Sequence, residues 1–238
     1  MKKPAAVLFD FGDTILETVY LDFATGFKTL YEMAENREHV SLFEINNQAD
    51  ELLQEILLKR SQTMLESNCH SFLKLVFESN GLRFKQSYPE LISIFRSTIV
   101  SFAPTAGIKE LLVTLEKYHI KTGVISNTLF PADFIIQDLQ QHGLESNFNF
   151  AISSSDYGLR KPHPLLFRVA AQKCNLAADQ IWFCGDSMRH DVVGALKAGM
   201  FPVWYNPNQE KGDSELEYCE ITHWRELERI IINLYQKQ

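Results

Sequence analysis

The stretch "AAVLFDFGDTIL", residues 5–16, decides how this chain reads. Five apolar residues lead to a carboxylate at Asp10, followed by Gly12 and a second acid at Asp13. A short run that is apolar at every position predicts a strand buried on both faces, as in parallel sheets.

The same texture returns later in the chain. From residue 109 onward, "KTGVISN", "FNFAISSS", "QIWFCGD" and "FPVWYN" read as strands. They alternate with helical segments "IKELLVTLEKYH", "PADFIIQDLQQHG", "HPLLFRVAAQKCN" and "DVVGALKAG". Pro131 opens the second of these helices and Gly143 closes it. Strands separated by single helices imply an α/β chain with a mostly parallel sheet covered on both faces. "HWRELERIIINLYQKQ" predicts a final helix packed on that core.

Between Ile15 and about Pro104 the composition shifts to Leu, Phe, Glu, Gln and Asn, with little Gly or Pro. "ADELLQEILLKRSQTML" and "CHSFLKLVFESNG" have apolar residues at helical spacing, with Gly81 as a stop. A helical insertion is therefore expected between the first strand and the rest of the sheet.

The chain has 238 residues, a net charge of −7, 45% hydrophobic residues and 22% charged ones. This is an ordinary globular balance. No basic stretch suits a row of phosphates, so nucleic acid is not an expected partner. No segment approaches the ~20 apolar residues needed to span a bilayer, and the N-terminal apolar run is cut by Asp10 and Asp13 before it makes a signal sequence. Cys69, Cys174, Cys184 and Cys219 form no CxxC pair, and free thiols in a cytoplasmic setting are expected.

Each predicted strand ends in polar residues: Asp10, then Ser126 and Asn127, then Gly185 and Asp186. In an open parallel sheet, ligands bind beyond the carboxyl ends of the strands, so these side chains should converge on one crevice. Singly, each has a plainer role. An aspartate after a strand is usually a cap or turn former, Lys161 in "GLRKPHP" a solvated lysine, and Asp191 an N-cap. Their coincidence carries the signal.

Taken together, "VLFDFGDT", "VISN", "RKP" and "GDSMRHD" resemble, in order and spacing, the four motifs of the haloacid dehalogenase-like (HAD) hydrolases. The resemblance implies a Rossmann-like parallel-sheet core, residues 1–15 and 104–238, with an inserted α-helical cap of the C1 type at 16–103. It implies a phosphatase in which Asp10 attacks phosphorus to form an aspartyl-phosphate. Mg²⁺ would be held by Asp10, Asp186 and the backbone carbonyl of Gly12. Ser126 and Lys161 would bind and neutralise the phosphoryl group, with Gly12 and Asn127 beside it. Asp191 and Thr14 would support from behind. The expected partner is a small phosphorylated substrate.

The family's phosphatases normally carry a second Asp two residues after the nucleophile, where it protonates the leaving group. Here that position is Gly12, so a group worth typically ~10²–10⁴-fold in rate is absent. Three readings follow. Asp13 replaces it, if Gly12 adopts φ > 0 and turns the next residue inward. Alternatively, substrates have leaving groups that need little protonation, such as acyl or aryl phosphates, or turnover is slow. Or the site binds a phosphometabolite without turnover. The departure also raises a 2-haloacid dehalogenase as alternative, although the acids of "GDSMRHD" would have little purpose there. Tyr20, Phe23 and Phe27 are candidates for pocket lining or for cap core, and Arg160 for an anion contact or a solvated face.

Overall fold

The computed structural model describes residues 1–236. Strand β1 (Ala6–Phe9) is fully buried and lies parallel between β4 (Lys121–Ser126) and β6 (Ile181–Gly185). The sheet continues through β5 (Ala151–Ser153) beside β4, and through β7 (Phe201–Tyr205) and β8 (Cys219–Ile221) beyond β6. Every pairing in it is parallel.

Side chains alternate through β1. Val7 and Phe9 pack under α5 (Ile108–Lys117) and α10 (Trp224–Gln236), against Leu111, Leu115, Trp224 and Leu227. Ala6 and Leu8 face the other way, onto Leu166, Phe167 and Ala170 of α8 (Pro164–Cys174) and Ala195 of α9 (Val193–Ala198). Burial on both faces is why the run contains no polar residue. The expected helix at 131–143 is α6 (Ala132–Gln141), with Pro131 at its N-cap and Gly143 at φ +68 just beyond its end. A single turn, α7 (Ser154–Tyr157), follows β5. The last two residues of the predicted final helix lie outside the described residues.

The chain builds outward from β4 to β5 and then returns to β6 on the far side of β1. This reversal opens a crevice at the carboxyl end of β1. The register places Phe9 opposite both Val124 and Cys184, so Asp10 emerges level with the ends of β4 and β6.

Four helices fill most of the segment between β1 and the sheet's return. They are α1 (Phe23–Met33), α2 (Leu42–Thr63), α3 (Cys69–Ser79) and α4 (Tyr88–Ile99). They enclose their own apolar cluster, centred on Phe27, Phe72, Phe77 and Phe95. Helix α2 starts earlier than its apolar periodicity suggests, because Ser41 and Glu44 form a reciprocal capping box. The flanks of the segment are not helical. β2 (Leu16–Leu21) and β3 (Val100–Pro104) pair antiparallel as a two-stranded ribbon. Five of the six β2 residues are exposed, so no buried face announces the strand in its sequence.

No helix among the described residues is long and apolar enough to cross a membrane. All four cysteines are free, with Cys69, Cys174 and Cys184 buried.

Candidate active site

Asp10, Asp186 and Asp191 come together in the crevice, each offering a carboxylate oxygen within 4.8 Å of the others. Lys161 reaches into this group from the loop before α8. Its ammonium donates to Asp10 Oδ1 at 2.6 Å and to Asp191 Oδ1 at 2.7 Å. The solvated-lysine reading is excluded, because Lys161 is only 2% exposed. Burial alone would pull its pKa down, but the charges of Asp10 and Asp191 outweigh burial and hold it above the usual lysine value.

Asp191 is equally buried, and both of its oxygens are taken: Oδ1 by Lys161 and Oδ2 by the backbone N–H of Ser187 at 2.9 Å. It lies inside a π-helical turn, Met188–Val192, ahead of α9, and the N-cap of that turn is Ser187 rather than Asp191. Gly185 makes this placement possible, since a Cβ there would collide with the Asp191 carboxylate. Thr14, fully buried, donates its hydroxyl to Asp186 Oδ1 at 3.3 Å and accepts from the Asp186 N–H at 3.2 Å. The Trp204 indole N–H holds the Asp186 carbonyl at 2.7 Å.

Crowding three carboxylates beside one lysine has an electrostatic consequence. Desolvation, reinforced by the charges of Asp10 and Asp191, pushes Asp186 up to about 7. Asp191 is also raised, with burial outweighing the opposing pull of Lys161. The cluster is short of positive charge. No described residue donates to Asp10 Oδ2 or Asp186 Oδ2, while every oxygen of Asp191 has a donor. Two free hard oxygens on adjacent strand ends fit a divalent cation, and Asp191 fits the role of orienting Lys161 and the turn.

Ser126 ends β4, buried, on the wall of the same pocket. Asn127 is on the same wall, with its side chain engaged by the lysine loop. Its side-chain amide donates to the Lys161 carbonyl at 3.0 Å and its Oδ1 accepts the Lys161 N–H at 2.8 Å. These two bonds tie the end of β4 to the lysine loop.

The loop after Asp10 departs from the route expected for Asp13. Gly12 is not at positive φ; the left-handed residue is Asp13 itself, at φ 55. The turn closes through Asp13 N–H to the Leu16 carbonyl at 2.7 Å, and Asp13 Oδ1 accepts from the Thr18 N–H at 3.0 Å. Its carboxylate is therefore exposed at the pocket rim, tied to the start of β2. At Gly12, nothing lies within 4 Å of where a Cβ would stand. His190 also lines the pocket, and burial with Arg160, Lys161 and Arg189 nearby lowers its pKa to about 4. It is thus neutral near pH 7.

The pocket occupies about 460 Å³ and runs from the acids toward the helical segment. Phe23 lines it, Phe27 belongs to the buried helical cluster, and Tyr20 is exposed with its hydroxyl on Asp22. Arg160 is on the wall, 4.0 Å from the buried Glu66. Arg96 of α4, also on the wall, escaped the sequence reading. It is 8% exposed and pairs with Asp138 at 2.5 Å. The signal was an arginine within the apolar face that Ile92, Phe95 and Ile99 define.

Comparison with known proteins bears on this geometry. A family model described as "Haloacid dehalogenase-like hydrolase" matches residues 7–204. The chain belongs to the haloacid dehalogenase-like hydrolases. Among HAD relatives, a glyceraldehyde 3-phosphate phosphatase of Pyrococcus furiosus is 22% identical over 232 residues, covering 94% of this chain and 89% of that one. A phosphoglycolate phosphatase of Photobacterium profundum is 33% identical over 93 residues, so that match spans 39% of each protein. The crystal structure of a 2-haloacid dehalogenase from Pseudomonas syringae superposes with a TM-score of 0.72 at 24% identity, covering 98% of this chain and 99% of that one. That likeness shows the HAD fold.

Proposed function

We propose that the chain is a Mg²⁺-dependent phosphohydrolase of small phosphorylated metabolites. The observation that carries this reading is the arrangement of Lys161 between Asp10 and Asp191, with unpartnered oxygens left on Asp10 and Asp186. Phosphatases among the relatives support it.

Asp10 is the nucleophile: a carboxylate oxygen attacks phosphorus, giving an aspartyl-phosphate that water then hydrolyses. Asp10 and Asp186, with the Gly12 carbonyl, would hold the Mg²⁺. The ion supplies Lewis-acid stabilisation of charge on the phosphoryl oxygens. Lys161 would add a second positive charge beside the phosphoryl group, and Ser126 would donate its hydroxyl to a phosphoryl oxygen. Asn127 fixes the lysine backbone, Asp191 its ammonium, and Thr14 the Asp186 carboxylate. Residues 16–103 act as a cap that excludes water and selects the substrate. The buried free thiols suit a reducing cytoplasm.

Gly12 favours one other reading, a 2-haloacid dehalogenase. Three clustered carboxylates argue against it, because they offer oxygens suited to a cation that haloacid chemistry does not need. The test is phosphate release from a panel of small phosphates with Mg²⁺ and with EDTA. Mg²⁺-dependent release is expected. EDTA-insensitive chloride release from 2-haloacids, with no phosphate release, would replace this reading with the dehalogenase.

A further inference from the structure

The pocket has two contrasting ends. The acids, Lys161 and Ser126 occupy one; the other is walled by Leu21, Phe23, Ile99, Phe102, Phe130 and Phe134. One of the two arginines of the pocket, Arg96, is already satisfied. It is paired with Asp138, and its guanidinium lies 5.1 Å from the Phe102 ring centre and 5.2 Å from that of Phe130. A sugar or polyol packed against these six side chains would surrender hydrogen bonds to water without replacing them, whereas an aromatic ring would gain burial and edge contacts with the phenylalanines; Thr18, Thr128 and Arg160 are the polar groups of the same pocket.

The near end supplies a second, independent observation. No carboxylate stands at Gly12, Asp13 is held at the rim by the Thr18 N–H, and His190 is neutral. Among the described residues, no carboxyl group stands at the position two after Asp10, from which the family's phosphatases protonate a departing alkoxide. A phenolate, whose parent ionises at about pH 10 as tyrosine does, leaves without such help far more readily than an alkoxide.

We infer that the physiological substrate class is the phosphate monoester of a phenol, an inference that rests on the phosphatase reading above. In the first step Asp10 Oδ bonds to phosphorus as the P–O(aryl) bond breaks, and the phenolate departs with the electron pair and takes a proton from water. In the second, water adds to phosphorus and gives its proton to solvent. The P–O(Asp10) bond breaks, and inorganic phosphate leaves with the Asp10 carboxylate restored.

The experiment compares kcat/KM, with Mg²⁺, for phenyl and 1-naphthyl phosphate against glycerol 3-phosphate and a hexose 6-phosphate. Acetyl phosphate serves as a small substrate with a good leaving group. Aryl esters are expected to exceed the polyol esters by 100-fold or more, with naphthyl above phenyl. Phe102→Ala and Phe134→Ala should each raise KM for naphthyl phosphate about 10-fold while changing kcat less than 3-fold; Phe102→Leu should restore most of that loss. Polyol esters hydrolysed as fast as aryl esters, or Phe variants that lower kcat and leave KM unchanged, overturn the inference. If acetyl phosphate is hydrolysed without any aryl preference, the phosphatase reading stands and the substrate class falls. If no substrate releases phosphate, both fall.

Discussion

On the β6 side of the crevice both oxygens of Asp191 are engaged, and Lys161 is locked between two carboxylates. On the β1 side, a Cβ at Gly12 would meet nothing within 4 Å, and Asp13 stands at the rim. The first region is prearranged for charge, at the cost of burying three acids beside one lysine. The second is open, and among the described residues no carboxyl group stands at Gly12 to act as a general acid. The difference separates two tasks that many active sites merge: stabilising a phosphoryl group and protonating what leaves it. This molecule is equipped for the first.

The largest effect should come from the point where the two regions meet. Asp10→Asn is expected to abolish phosphate release, by about 10³-fold or more, because it removes the carboxylate proposed to form the covalent intermediate. An unchanged circular dichroism spectrum would show that the fold survives, and substantial residual turnover would remove the covalent mechanism. Lys161→Met strikes the charged side alone. It leaves Asp10 and Asp191 uncompensated, with an expected loss of about 10²–10³-fold in kcat and roughly 3–5 kcal/mol in stability by urea denaturation. A loss confined to KM would mean that the lysine only binds substrate.

Gly12→Asp tests the open side. A Cβ at Gly12 meets no neighbour within 4 Å, so the branch point of the new side chain is accommodated. Turnover of alkyl phosphates should rise about 10–100-fold, against less than about 3-fold for p-nitrophenyl phosphate, whose leaving group is already stable. Equal gains on both would break the separation of tasks.

The smallest effect is on thermal stability. Asp186 has a folded pKa raised to about 7 from 3.8, so without metal its stabilising contribution is fully present below about pH 4 and is lost as pH rises through 7. Mg²⁺ competes with that proton. The gain in Tm on adding Mg²⁺ should therefore grow from pH 5 to pH 8, reaching roughly 5–10 °C at saturation. A gain independent of pH would place the ion elsewhere.

The parallel strands were legible because burial on both faces demands runs such as "AVLF" and "IWFCG", and a run needs no partner to be seen. The ribbon was not. β2 is exposed along five of its six residues, and its partner begins at Val100, so nothing local marks it. The acids and Lys161 were legible as strand-end and loop residues in the right order. The hand in which Asn127 is played was not: the same side chain can meet a phosphate or a neighbouring loop, and only the fold brings the Lys161 backbone to it. Asp13 differs for a related reason, since the residue that turns left-handed is set by how the loop closes on Leu16.

Gly185 ends β6 with neither a charge nor a hydrogen-bonding side chain, yet the acid cluster depends on its being bare. A single methyl group at that position would evict the Asp191 carboxylate, cut Lys161 loose from one of its two anchors and leave every ionisable residue in the sequence untouched. Inactivity in a variant of this chain can therefore begin at a residue with no chemistry of its own.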